Sequence, residues 1–442
     1  MLSRMTTKPK KSWRNHSGSV EVSPNHYSYP ASIEEIQAEV SRAAEEYQRL
    51  RVAGSGSALS PLCWTDENLM SLENFHGIET VDLDLGRIWV RAGTRLGWLA
   101  RALSDRGLAL ANWRGSERQT LGGALTIGIH SGGASSQCLS AQVTALRIIC
   151  ADGSVKPVSS EANAEMLDAV RVALGALGVI THVELQCVPA YRMQLRTESG
   201  TLEQTLARAG GHNHQHRVFT FRWHPYSART ELQFLDATEE PAPQQHPLRE
   251  ARDYAIKSAR DWLLSQAAQR LPGAAERASE MLSTRPLPLD AILDPHASTA
   301  EVSAIPRQTI EYSLPREKLV DALLQMQRVI QALRFPALLP IGVRYAAADG
   351  LWLSPAYQRA SAIVTVSTPR HADAADYFAA MTEIFDRHDG RPSWGAQHAK
   401  TTQDLVQLYP RFNDFLELRR SLDPRGMFLN PYLMSLFGVE AL

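Results

Sequence analysis

In "PASIEEIQAEVSRAAEEYQRL" the residues Ile33, Ile36, Val40, Ala43 and Tyr47 recur at helical spacing. That period predicts an amphipathic helix, with Ser32 as its N-cap and Glu35 three residues on. A short apolar run, "RVAG", then reads as a strand leading into small residues. "IETVDLDLGRIWVRAG" alternates apolar and polar on either side of Leu85-Gly86, the pattern of a β-hairpin. "TRLGWLARALSDRG" returns to helical spacing, with Gly107 placed as its C′ residue. "VTALRIICADGSVKPVS" predicts strand, Asp-Gly turn and strand, and "EMLDAVRVALGALGVITHVELQCVPAYRM" a helix, a glycine turn and a long strand.

After about Tyr191 the pattern changes. "HRVFTFRWHPYSARTELQFLDA" predicts two strands about a turn, "EEPAPQQHP" a surface loop, and Leu248 to Met281 one or two helices broken at "LPGAAER". "TRPLPLDAILDPHAS" reads as irregular. A second mixed portion follows: the strand "RQTIEYSLP", a helix from Lys318 to Leu333, the strands "LLPIGVRYAAA" and "SAIVTVST", and a helix from Ala372 to His388. The tail predicts a helix from Asp404 to Arg420, then "LDPRGMFLNPYL". No internal repeat emerges.

Composition narrows the classes. The 442 residues suffice for two domains and a buried ligand. With 46 basic against 47 acidic residues, mixed along the chain, nothing resembles a nucleic-acid groove. The basic "KPKKSWR" is a short terminal tail. "MLSRMTTKPKK" lacks an apolar signal core and no window has membrane-spanning length, so a cytoplasmic protein without an integral membrane segment is expected. Cys63, Cys138, Cys150 and Cys187 lie far apart without ligand spacing and read as free thiols. The run "HNHQH", His212 to His216, reads as a solvated turn; no metal site is expected.

The chemistry lies in glycine clusters. In "RVAGSGSALSP", Gly54 and Gly56 permit close approach, and Ser55, Ser57 and Ser60 add uncharged donors. The loop is either a plain turn or a diphosphate cradle. It is neither a Walker loop nor a Rossmann turn. "RQTLGGALTIGIHSGG" packs Gly122, Gly123, Gly128, Gly132 and Gly133 among Thr120, Thr126, His130 and Ser131. With "GALGVITHVEL" as a third cluster, one extended ligand laid across several loops is expected.

These stretches, together with "WRNHSGS", "VRAGTRLGWLARALSDRGLALANWRG", "DGLWLSPAY", "RPSWG" and "LDPRGMFLNPYL", resemble the vanillyl-alcohol oxidase (PCMH-type) FAD-binding oxidoreductases, in particular the aldonolactone and alditol oxidase branch. The resemblance runs nearly end to end. It implies an α+β, two-lobed fold: a PCMH-type FAD-binding domain over residues 1–190, an antiparallel-sheet cap or substrate domain over 191–400, and a segment 401–442 returning to the first. It further implies Gly54, Ser55, Gly56, Ser57, Ala58 and Ser60 at the pyrophosphate, and Thr120, Gly123, Thr126, Gly128, His130 and Gly132 along the flavin and ribityl chain. Gly178 and Ile180 fall at the adenosine end and Asn430 by the pyrimidine edge. The reaction implied is hydride transfer from a substrate CH–OH carbon to flavin N5, with dioxygen or another electron acceptor completing the cycle.

The departures from the family are equally specific. Where many relatives carry "GSGHS" and bond flavin through that histidine, this chain has Ser57, so non-covalent FAD is expected; Cys138 is an alternative attachment point. The family's glutamate–arginine pair becomes Gly342 and Arg344, a family histidine becomes Thr365 beside the hydroxyl of Ser367, and "HWGK" becomes "SWGA", leaving Ala396 for lysine. Arg344 is expected to orient a substrate oxygen. His398, Lys400 and His130 are the catalytic candidates for a displaced base, against readings as loop-surface residues for the first two and a hydrogen-bonded flavin-loop residue for His130. Trp352 and Trp394 either wall the substrate pocket or pack in the core. Two alternatives share this fold: a natural-product tailoring enzyme that cyclises, desaturates or couples its substrate, and a flavin-binding protein without turnover.

Overall fold

Ser32 accepts the Glu35 backbone N–H, and the Glu35 carboxylate accepts that of Ala31. This cap starts α1 (Ile33–Glu45), which buries Ile36, Val40 and Ala43. The computed structural model describes residues 11–112, 116–227, 229–241, 291–294, 297, 306–335, 339–370 and 372–440. Ahead of α1 lies a strap in which β1 (Trp13–Arg14) pairs with β2 (Glu21–Val22). Strand β3 (His26–Ser28) joins β4 (Leu50–Ala53) and β5 (Asn68–Ser71) in a parallel sheet with β5 central.

The predicted hairpin forms β6 (Ile78–Asp82) and β7 (Arg87–Arg91). Helix α2 (Leu96–Ser104) follows, and Gly107 (φ 71°) stands two residues beyond the C-cap Asp105, one further than expected. After β8 (Leu108–Ala109) comes α3 (Leu121–Thr126), a short helix inside the second glycine cluster where the pattern gave only a loop. Strands β9 (Val143–Ile149) and β10 (Val155–Ser159), helix α4 (Ala164–Val170) and strand β11 (Val179–Gln186) complete a five-stranded antiparallel sheet in the order β10-β9-β11-β7-β6. Strand β12 (Val188–Pro189) pairs with β8 and closes this lobe.

The second sheet has eight antiparallel strands. They are β13 (Arg192–Thr201), β14 (Val218–Trp223), β15 (Arg229–Thr238), β16 (Ala291–Leu293), β17 (Arg307–Pro315), β18 (Ile341–Ala346), β19 (Ser361–Pro369) and β20 (Arg391–Pro392). Their order is β16-β13-β15-β14-β18-β19-β17-β20. One face is apolar: Phe219, Phe221, Tyr312, Val343 and Val364 pack with α5 (Leu202–Gln215), α6 (Leu319–Leu333) and α7 (Ala375–Arg387). Strict alternation then turns Thr220, Arg222, Gly342, Arg344 and Thr365 to the other face.

Several expectations shift. His212 and His214 sit in the last turn of α5, and His216 is its C-cap, so "HNHQH" ends a helix instead of forming a turn. The stretch read as irregular contains β16. The tail helix splits at Tyr409-Pro410 into α8 (Thr402–Leu408) and α9 (Phe412–Leu422), because proline cannot continue the helical ladder. Helix α10 (Pro431–Phe437) begins on Asn430 as N-cap. These tail helices and Trp394 join the core of the first lobe. The helices read over Leu248 to Met281, and most of "EEPAPQQHP", lie outside the described residues. Among the described residues no helix is long and apolar enough to cross a membrane.

Candidate active site

The loop after β4 opens a cavity of about 500 Å³, within the roughly 300–1,000 Å³ of small-molecule sites. Gly54, Ser55, Gly56, Ser57, Ala58, Ser60, Thr120, Gly123, Thr126, Gly178 and Ile180 all line it, so three distant segments do converge. Part of the glycine pattern has a reason inside the protein: a Cβ on Gly54 would stand 2.2 Å from the Thr120 hydroxyl oxygen. Ser60 lines the cavity while donating to the Trp394 carbonyl at 2.6 Å.

Sequence reasoning missed Arg51, which also lines this cavity. It is buried and donates to the carbonyls of Leu62, Leu174, Gly175 and Phe428, joining β4 to the Gly175 turn and the tail. Burial pulls its guanidinium down to about 10, so it stays cationic. Arg95 lines the wall as well, against one carboxylate, Glu73. Neutral hydroxyls, backbone close approach and net positive charge make a suitable bed for an elongated anion. The position of Arg51, immediately before the small-residue loop, was the available signal.

Gly128, His130, Gly132 and Asn430 do not line this cavity. Asn430 is buried and fully engaged: its Nδ2 donates to Pro61 O (2.8 Å) and Trp64 O (2.9 Å), and its Oδ1 caps α10 through the Leu433 N–H (2.9 Å). Gly132 (φ 97°) instead brings the loop after α3 onto the polar face of the eight-stranded sheet, where its side-chain position faces Thr220, Val218 and Arg344. A larger residue there would meet strand β14 and strained backbone together.

On that polar face the register aligns Arg222, Gly342, Thr365 and Glu311 across four strands. Glu311, missed in the sequence, binds Arg344 bidentately: Nη2 to Oε1 is 2.8 Å and Nη1 to Oε2 is 2.9 Å. Thr365 Oγ1 donates to Glu311 Oε2 (2.7 Å) and accepts from Arg344 Nη1 (3.1 Å). Burial pushes the Glu311 carboxyl up, but the Arg344 charge and hydrogen bonds from Arg344, Thr365 and Ser393 hold it below the ordinary carboxylate range. Ser367 lies further along β19 and hydrogen-bonds Thr309 (2.8 Å).

The three base candidates separate. Lys400 is held in an ion pair with Asp386. His398 lies against Trp394, contacts the Tyr432 hydroxyl at 3.0 Å and accepts the Lys400 N–H at 3.4 Å through Nδ1; burial and Lys400 depress it to about 4. His130 is likewise depressed to about 4, by burial first and Arg344 second. Among the described residues its buried Nε2 has no hydrogen-bond partner, with the Asp349 carboxylate 3.9 Å away. Trp394 is wholly buried, stacked on Tyr409, and donates to Leu353 O at 2.7 Å, while Trp352 and Ala396 are also buried.

The sequence profile of the D-arabinono-1,4-lactone oxidase family matches residues 183–436, and that of an FAD-binding domain matches 24–159. The chain belongs to the D-arabinono-1,4-lactone oxidase family. It is similar to the L-gulonolactone oxidase of Bos taurus, 32% identical over 94% of this chain and 95% of that protein. It is 30% identical to the L-gulono-1,4-lactone dehydrogenase of Mycobacterium tuberculosis over 96% of this chain and 99% of that one. It is 27% identical to a Streptomyces alditol oxidase over 96% and 98%. The fold is shared with a solvent-stable cholesterol oxidase at a TM-score of 0.78, with 18% identity and 97% of each chain covered. A xylooligosaccharide oxidase from Myceliophthora thermophila follows at 0.70, with 15% identity and 97% and 94% covered. The two-lobed α+β fold and the FAD-dependent oxidoreductase class expected of this chain therefore hold. Its partners are a small-molecule substrate and an electron acceptor. The cavity fits the cofactor: Arg51 and the Gly54–Ser60 loop supply the charge and the close approach that a diphosphate needs.

Proposed function

We propose that the protein oxidises a CH–OH carbon of a sugar lactone or alditol, using FAD held without a covalent bond. The carrying observation is the cationic, hydroxyl-lined cavity whose loop bears Ser57; apart from it, Gly132 brings the loop after α3 against Arg344 on the polar face of the second sheet. In this reading residues 1–190 and 401–442 form the FAD-binding lobe and 191–400 the cap. Bound FAD supplies the two-electron acceptor. Arg51 balances the diphosphate charge, Gly54 to Ser60 approach it, and Arg344 with Thr365 orients the substrate oxygen. His130 is the favoured base because its buried Nε2 is unpartnered among the described residues, which leaves a ring nitrogen free to meet a substrate hydroxyl. Lys400 and His398, each already bound to protein groups, fit that role less well.

One observation favours a bulkier substrate as a second reading. A Cβ at Gly342 would meet only ordinary contact with Thr365, at 3.7 Å, so the position vacated by the family's glutamate is not filled by a neighbouring atom. The deciding experiment is anaerobic mixing of the yellow protein with sugar lactones, alditols and larger alcohols. Bleaching by a lactone or alditol is expected. Bleaching by larger scaffolds alone supports the tailoring alternative and overturns the first reading. Arg344→Ala should depress the bleaching rate far more than the flavin content.

A further inference from the structure

We propose that Glu311 is a specificity-determining residue: paired with Arg344, it makes this face of the pocket electrically neutral, so that the site accepts a neutral lactone or polyol and rejects the ring-opened carboxylate of the same sugar. The inference rests on the function proposed above and concerns the same site.

An arginine facing a substrate pocket ordinarily recruits carboxylates through its two-pronged fork. Here the end-on fork is taken. Both oxygens of Glu311 face Arg344, at 2.8 and 2.9 Å, and the second Nη1 hydrogen goes to Thr365 at 3.1 Å. One Nη2 hydrogen and the Nε–H remain on the side edge of the guanidinium, and among the described residues the Nε is buried and without a partner, so a second carboxylate could pair there only by reaching that buried edge. Arg222, which stands in the row with Gly342, Thr365 and Glu311, lies 3.0 Å from Glu231, so it too has a counter-charge on this sheet. An entering carboxylate would meet Glu311 repulsion with the end-on fork already taken and the side edge buried, whereas a hydroxyl or ring carbonyl loses nothing. Gly342 shows why the acid stands on β17. The register places Gly342 and Glu311 on opposite sides of Thr365, so the carboxylate reaches Arg344 across β19 and not from the Gly342 position.

The test compares equilibrium binding of gulono-1,4-lactone and sodium gulonate, by calorimetry on FAD-loaded and FAD-free protein. Wild type should bind the gulonate at least tenfold more weakly than the lactone. Glu311→Gln, which keeps shape and removes charge, should narrow or reverse that ratio by tenfold or more, and Glu311→Asp should restore it. The double variant Glu311→Gln/Arg344→Gln should lose the gain, since the uncovered cation is gone. It also keeps the proposal testable if the single variant folds poorly. An unchanged ratio in Glu311→Gln, or equal binding of both ligands by wild type, overturns the role of Glu311 even where lactones bleach the flavin. A gulonate gain in Glu311→Gln, with no lactone or alditol bleaching the wild type, sustains Glu311 and overturns the proposed function instead.

Discussion

Ser57 Oγ lies 3.3 Å from Gln119 Nε2, which joins the first small-residue loop to the segment before α3 at the rim of the cavity. A serine hydroxyl held this way offers no ring nitrogen to bond a flavin. Acid precipitation should therefore release the yellow colour into the supernatant. Ser57→Ala should keep near-stoichiometric flavin, with a change in affinity of a few-fold at most, the scale of one neutral hydrogen bond. Colour retained in the acid pellet would count against the non-covalent reading.

Gly54 and Thr120 touch so closely that the loop and the start of α3 must move if either grows. Gly54→Ala should destabilise the protein by about 1–3 kcal/mol, the usual range for overpacking. It should also lower flavin content. Thr120→Ala removes the offending oxygen, so the double variant should recover part of the loss. A double-mutant cycle by chemical denaturation measures that coupling, and strictly additive effects would show that the contact is not the cause.

Among the described residues Arg51 hydrogen-bonds only backbone carbonyls, so its positive charge is available to the cavity. Arg51→Met should strand those carbonyls at about 1–3 kcal/mol for each one left unsatisfied. It should lower the melting temperature and weaken FAD binding together. Arg51→Lys should keep more of the FAD affinity than of the stability, since it retains charge and loses the fork. Equal losses of both in the two variants would indicate a purely structural role.

His130 and His398 are each depressed to about 4 in the folded protein, against an unfolded value near 6.5. A depressed base binds fewer protons folded than unfolded, so its contribution is full above about pH 6.5 and is lost as pH falls toward about 4. Glu311, a depressed acid, adds a second loss at the acid end, as pH falls through its own lowered folded value. Melting temperature should thus drop steeply between about pH 6.5 and 4. His398→Gln, which cannot charge, should flatten that drop by up to about 3 kcal/mol on the linkage scale. An identical pH profile in the variant would dismiss His398 as a contributor.

Periodicity along the chain was enough to place most of the longer helices and strands and the cap of α1, and the glycine clusters marked the loops that line the cavity. Those features depend on neighbours within a few residues: the Ser32 cap, the alternation of "RIWVR", the glycines of Gly54 to Gly56. It missed α3 and the helical end of "HNHQH" because tertiary packing there overrides weak local propensity. Register decided the pocket. Gly342 looked like a lost carboxylate, and only the pairing of β18, β19 and β17 brings Glu311 to Arg344, from a residue 33 positions away in the chain. The same holds for Asn430, whose amide is taken up by a loop 366 residues earlier, and for Arg51 beneath the cavity. Local spacing determines which face a side chain takes; which charge it meets there is decided by strand order and by chain segments that only folding brings together.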